Sequence, residues 1–147
     1  MKGLLFFYYG GAKLSRQIYI TENDRAKLKK LIDDALFDGK ADKSFEDLRN
    51  EMKNARTVNI KDLPGNVVTM NSKALILLDG NEEEITLVYP QEADLIENRI
   101  SVLSPIGIAL LGYSEGDMIQ WTVPSGTMEI EIRKVLYQPE AAGDLHL

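Results

Sequence analysis

The sequence predicts an α+β fold: a short antiparallel coiled-coil hairpin, then an antiparallel sheet crossed by one short helix. Three observations carry this expectation. Apolar residues recur at helical spacing in two consecutive stretches before Arg56, short β-branched and aliphatic runs take over after Asn66, and Pro64-Gly65 separates the two regimes. With 147 residues, 44% of them hydrophobic, the chain suits one ordinary domain or a domain with a small appendage. The expected division is an N-terminal extension over residues 1–17, the helical hairpin over 18–58 and the sheet domain over 66–147.

The first helix is expected over residues 22–37. Thr21 followed by Asp24 is a capping-box-like start, and Leu28, Leu31, Ile32, Ala35 and Leu36 fall on one stripe. Gly39 stands near the expected C-terminal cap. Ser44, with Asp47 three residues on, restarts a helix that runs to about residue 55, and its narrow seam of Phe45, Leu48, Met52 and Ala55 suits one partner helix. The short connection makes that partner the first helix, antiparallel to it. Residues 57–65 read as a linker.

Strands are expected over residues 67–72, 73–78 and 84–90, with Asp79-Gly80-Asn81 supplying a tight hairpin turn. Ser104 is a cap and Pro105 a proline at the first helical position, opening a short apolar helix over 106–111 that Gly112 closes. Two final strands meet at Pro124-Ser125-Gly126. In the second, Met128, Ile130 and Ile132 alternate, then Val135 and Tyr137 resume one residue out of phase, which implies a β-bulge near Arg133 and Lys134. Trp121 alternates in phase with Ile119 and Val123, as a core residue of the sheet does. Glu82-Glu83-Glu84 reads as a solvated loop.

Composition removes several function classes. There is no cysteine, so no disulfide framework or thiolate metal site, and the single histidine, His146, lies at the C-terminal end. A Ser-His-Asp triad, a Cys-His pair and a histidine-based metal centre are excluded by inventory. Nothing implies a cofactor. The net charge of -6 argues against direct high-affinity contact with nucleic acid, which needs clustered Lys and Arg, and favours a protein partner. The apolar run over residues 4–9 is far short of the roughly 20 residues needed to span a bilayer. With Lys2 before it and Gly10-Gly11-Ala12 after it, the run resembles a truncated signal peptide, but it is short even for that role, and an unstructured or start-site extension is the expectation. A cytoplasmic monomer without membrane association is expected.

The stretch Ser101-Val102-Leu103-Ser104-Pro105-Ile106-Gly107-Ile108-Ala109-Leu110-Leu111-Gly112, with Glu115-Gly116-Asp117 after it, resembles the C-terminal signature of the GreA/GreB family of transcription elongation factors. Val67-Val68-Thr69-Met70-Asn71-Ser72, Leu87-Val88-Tyr89-Pro90 and Tyr137-Gln138-Pro139-Glu140-Ala141-Ala142-Gly143-Asp144 narrow the resemblance to the Rnk branch. The resemblance implies an FKBP-like C-terminal domain behind an antiparallel coiled coil, and RNA polymerase as the partner. In the cleavage factors of that family the globular domain docks at the rim of the polymerase secondary channel, while acidic residues at the coiled-coil tip help hold a catalytic magnesium ion and a water.

Carboxylate oxygens suit Mg²⁺, and a bound metal turns water into a better nucleophile. The tip candidates here are Asp38 and Asp42, but they do not match the family's tip motif residue by residue, and Lys40 and Lys43 sit among them. Asp33, Asp34 and Asp38 oppose the dipole of the first helix at a cost of a few tenths of a kcal/mol. Helices of this length reach only about 18 to 24 Å. No resident metal is expected. Ser104, Pro105, Ile106 and Gly107 are the polymerase-docking candidates by resemblance. The expected function is a non-catalytic polymerase-binding regulator that acts on nucleoside diphosphate kinase expression indirectly. Two enzyme-class alternatives stay open: transcript-cleavage stimulation through Asp38 and Asp42, and prolyl isomerisation by the FKBP-like domain. Direct contact with the kinase has no support in the residues.

Overall fold

The computed structural model describes residues 8–9, 12–13, 18–123 and 125–147. Two short strands, β1 (Tyr8–Tyr9) and β2 (Ala12–Lys13), pair antiparallel, where an unstructured extension was expected; the rest of residues 1–17 lies outside the described residues. Strand β3 (Ile18–Thr21) leads into α1 (Glu22–Phe37), whose bounds are those expected from the apolar stripe. Thr21 caps α1, its side chain accepting the Asp24 N–H at 3.0 Å. Of the stripe, Leu28, Ile32 and Ala35 are buried, whereas Leu36 is exposed, because the stripe outruns the surface it packs on.

Helix α2 (Lys43–Lys53) starts two residues earlier than a Ser44 cap would place it and ends two earlier than expected. Its N-cap is Asp42 and not Ser44: the Asp42 carboxylate accepts the Ser44 N–H at 3.0 Å, and a carboxylate also answers the positive end of the helix dipole. The expected linker is ordered at both ends. Ala55–Val58 forms β4, which pairs parallel to β3 with Ile18 opposite Ala55 and Thr21 opposite Val58. Asn59 then caps a 3₁₀ turn, Ile60–Asp62. Arg25, near the start of α1, donates to the carbonyls of Met52 and Ala55 at 2.9 and 3.1 Å and to the Thr57 hydroxyl at 2.5 Å. The start of α1 therefore stands beside the end of α2, and the short turn joins their other ends, so the helices are antiparallel.

The five-stranded sheet has the order β7 (Arg99–Ser101), β6 (Asn81–Val88), β5 (Lys73–Leu78), β9 (Gly126–Tyr137), β8 (Met118–Val123). β5 (Lys73–Leu78) and β6 (Asn81–Val88) form the expected hairpin, with Asp79 and Gly80 both at positive φ, 49° and 87°, as a two-residue type I′ turn requires. β8 (Met118–Val123) and β9 (Gly126–Tyr137) form the second hairpin. The predicted bulge is present: Ile76 faces Ile132 and Leu75 faces Lys134, which leaves Arg133 as the extra residue, and a second shift follows between Ala74 and Lys73.

Three sheet expectations are corrected. Glu82-Glu83-Glu84, expected as a solvated loop, belongs to β6, where it pairs with Leu77, Ile76 and Leu75. Residues 67–72 are not a strand: Ser72 folds back so that its hydroxyl accepts the Thr69 N–H at 2.8 Å, and Asn71 takes φ 67°. Nor is the sheet wholly antiparallel, because residues 89–98 carry the chain back along β6 and β7 (Arg99–Ser101) then runs parallel to it. Helix α3 (Pro105–Leu110) lies across the sheet, and α4 (Pro139–Ala142) follows β9. One continuous core joins the hairpin residues Ile18, Ile20, Leu28, Ile32, Leu48 and Met52 to the inner faces of the sheet and α3, with Trp121 buried in it as expected.

Candidate functional site

The first candidate region is the start of α3. Ser104 is its N-cap, and its hydroxyl both accepts the Gly107 N–H at 3.0 Å and donates to the Ser101 carbonyl at 2.7 Å. The Ser101 hydroxyl in turn accepts the Leu103 N–H at 3.0 Å. This closed turn brings the backbones so near that a Cβ on Gly107 would stand 2.1 Å from the Ser101 carbonyl oxygen, which leaves room for glycine alone. Gly107 is buried, Ser104 and Ile106 are half-buried and Pro105 is exposed. Of the four docking candidates, then, Pro105 and Ile106 offer surface, while Ser104 and Gly107 fix its shape.

Glu115-Gly116-Asp117 stands at the same end of the sheet, where β8 begins beside the C-terminal part of β9. Gly116 adopts φ 87° and donates to the Ile132 carbonyl, Asp117 accepts the Ser114 N–H at 2.9 Å, and the Glu115 carboxylate accepts the Val135 N–H at 2.7 Å. Val135 lies just past the bulge, opposite Ala74 of β5, and β8 pairs with β9 only from Met118, opposite Glu131. The motif is thus structural: it bonds to β9 beyond the end of the β8 ladder.

The second candidate region is the hairpin tip. Asp38 is the C-cap of α1 and Asp42 the N-cap of α2, both side chains exposed. Lys29 and Lys30 pair with Asp33 and Asp34 one turn on, at 2.6 and 2.7 Å, so the acids that oppose the dipole are partly neutralised. Among the described residues no cluster of three or more metal-ligating side chains occurs. Phe37 at the tip is 92% exposed, which the apolar pattern did not single out. The tip stands at the far end of α1, about 24 Å from the start of that helix by helix rise.

The third region was missed in the sequence. Asp24 is only 3% exposed, and its carboxylate accepts the Met70 N–H at 3.1 Å. Burial pushes its carboxyl up to about 7; the Met70 hydrogen bond opposes this and the negative charge of Glu140 adds to it. Thr69 donates to the Glu140 carboxylate at 2.7 Å and shares a 2.8 Å hydrogen bond with Ser72. The Tyr89 hydroxyl is buried with no hydrogen-bond partner among the described residues, and burial and then the charges of Asp24, Glu92 and Glu140 raise its titration. Asp24 is four residues before Leu28 on the buried stripe, a placement that capping alone does not require. That was the available signal.

Gly112 supplies the other half of this junction: it accepts the Tyr19 N–H at 3.1 Å, donates to the Val68 carbonyl at 2.9 Å, and with φ 84° has no room for a Cβ beside the Tyr19 carbonyl. Gln138 donates to the carbonyls of Pro64 and Val67 at 2.9 Å each, strapping the segment between hairpin and sheet.

A capped and clamped hairpin, a bulged five-stranded sheet and a proline-started helix across it define a hairpin-plus-sheet factor. Comparison with known proteins places it. Residues 63–137 match the family described as "Transcription elongation factor, GreA/GreB, C-term", and residues 16–58 match "Rnk N-terminus". The chain belongs to the GreA/GreB family, in the branch that carries the Rnk N-terminus. It is 41% identical to the "Regulator of nucleoside diphosphate kinase" of Escherichia coli strain K12 over 100 residues, 66% of this chain and 74% of that protein. It is also 36% identical to the "Transcription elongation factor GreA" of Orientia tsutsugamushi strain Ikeda over 65% of this chain and 62% of that one. Among solved structures, the GreA/GreB elongation factor from Nitrosomonas europaea superposes with a TM-score of 0.67 at 34% identity, covering 83% of this chain and 99% of that chain. Among the described residues no helix is long and apolar enough to cross a membrane.

Proposed function

We propose that this chain binds RNA polymerase at the rim of the secondary channel and regulates transcription there without strong stimulation of transcript cleavage, altering nucleoside diphosphate kinase expression indirectly. The observation that carries the reading is the short hairpin. At 16 and 11 residues its helices extend about 24 and 16 Å, and α1 is packed on the core as far as Ala35. The Asp42 carboxylate is already engaged in capping α2. Pro105, exposed at the Ser104 turn, and the half-buried Ile106 beside it, which also packs against the core, are the proposed contact with the polymerase.

Binding of the purified protein to core RNA polymerase, with GreA as competitor and a backtracked complex to report cleavage, tests the proposal. Displacement of GreA without RNA cleavage is the expected result. No binding at micromolar concentration overturns it. Cleavage that disappears in an Asp38→Asn, Asp42→Asn double variant replaces it with an acidic-tip cleavage factor.

A further inference from the structure

Three segments far apart in sequence meet at Asp24: the 69–72 turn, the end of β6 at Tyr89, and α4 with Glu140. Each lies in a motif that sets the Rnk branch apart, yet none of these side chains belongs to the proposed docking surface. Asp24 sits in the first turn of α1, so whatever holds it also holds the hairpin.

We propose that Asp24 is a positioning residue whose protonation latches the helical hairpin onto the sheet domain, and whose ionisation, beside Glu140 in a buried polar junction, loosens the hairpin. Among the described residues, the charged and titratable groups that act on it or on its neighbour Tyr89 are Lys27 on α1, Glu140 on α4 and Glu92, with Tyr89 itself just past the end of β6. The 69–72 turn contributes the Met70 amide together with the Thr69 and Ser72 hydroxyls. The Thr69 hydroxyl is given to Glu140, so that carboxylate stays fixed in the junction. A neutral Asp24 carboxyl still accepts the Met70 N–H and removes the repulsion from Glu140. An ionised one keeps that hydrogen bond but carries a second negative charge out of water.

The sign follows from linkage. A carboxyl that holds its proton to higher pH in the closed junction than in the open one favours closure most in acid, and loses that contribution as pH rises from about 4 through about 7. One proton is involved, so the opening equilibrium rises by up to about tenfold per pH unit and then levels off.

The isolated full chain suffices for the test, so failure here leaves the polymerase proposal untouched and failure of that proposal leaves this one untouched. Wild type, Asp24→Asn and Glu140→Gln are compared in a His146→Gln background, which removes the single imidazole. Two local readouts are followed between about pH 5 and about pH 8: the ¹³C resonance of the Asp24 carboxyl, and hydrogen exchange of the Met70 amide corrected for its intrinsic rate. The carboxyl should titrate near 7, with Glu140→Gln moving that midpoint down, and Met70 protection should fall up to about tenfold per unit below it. Asp24→Asn, which retains an oxygen acceptor but cannot ionise, should protect Met70 equally across the range. An ordinary aspartate midpoint, or an Asp24→Asn protein with the wild-type pH slope, overturns the latch. Should Asp24→Asn fail to fold, Glu140→Gln decides: the pH dependence of Met70 protection must move down together with the Asp24 midpoint, and a midpoint that moves while Met70 protection keeps its wild-type pH profile overturns the latch.

Discussion

Replacing Gly107 by alanine sets two effects of opposite sign against each other. Alanine favours a helix interior over glycine by about 1 kcal/mol, so on propensity alone Gly107→Ala would stabilise α3. The geometry opposes this, because the new Cβ would stand 2.1 Å from the Ser101 carbonyl oxygen, 2.9 Å from its carbon and 3.0 Å from Val102 Cα. All three are backbone atoms, so no rotamer change relieves them. Overpacking of this kind costs about 1 to 3 kcal/mol, and sliding α3 away from the turn also breaks the Ser104 cap, about 1 kcal/mol more. The expected net is a destabilisation of about 1 to 3 kcal/mol, or a fall in Tm of roughly 2 to 12 °C for a chain of this size. Thermal unfolding followed by circular dichroism gives Tm, and urea titration gives the free energy. Pro105→Ala serves as the control, since Pro105 is exposed and outside the contact. A Gly107→Ala protein as stable as wild type, or more so, would refute the argument that backbone proximity at Ser101 dictates glycine.

Two further outcomes follow from the hairpin. Arg25 ties α1 to the end of α2 and to β4 through three hydrogen bonds, so Arg25→Ala should cost about 2 to 3 kcal/mol in urea unfolding, and Arg25→Lys should recover less than half because an ammonium lacks the planar fork. At the tip, Asp42→Ala should lose about 1 kcal/mol through the cap while Asp42→Asn loses only a few tenths, which makes asparagine the variant that removes charge without fraying α2 in polymerase assays.

The elements legible in the sequence were those whose signal is local. The Thr21 cap and the Leu28–Ile32–Ala35 spacing located α1, Ser104-Pro105 located α3, and the phase slip after Ile132 located the bulge. What escaped depends on partners distant in sequence. β3 and β4 are four residues each and pair only because the hairpin returns the chain, although Ile18-Tyr19-Ile20-Thr21 is β-prone on its face. Residues 67–72 are apolar enough for a strand, but Thr69 and Ser72 satisfy the turn with hydroxyls and thereby cap no ladder. Asp24 was explained too early: a capping box accounts for an acid at that position, and nothing nearby in the sequence points to Met70 or Glu140. The docking candidates were found as a motif, but the division between the residues that shape the turn and those that face outward came only from burial.

The strap formed by Gln138 also bears on how the chain assembles. Gln138 reaches back 74 residues to Pro64 and 71 to Val67, Glu140 reaches 71 residues to Thr69, and Lys27 donates to the Leu147 carbonyl 120 residues away. The hairpin, held by local contacts, therefore has no complete seat until residues 138–147 have been synthesised. Loop closure over such separations is slow compared with helix formation. During translation the hairpin is thus a helical pair waiting for its base, and the C-terminal segment is the piece whose arrival locks the two halves into one core.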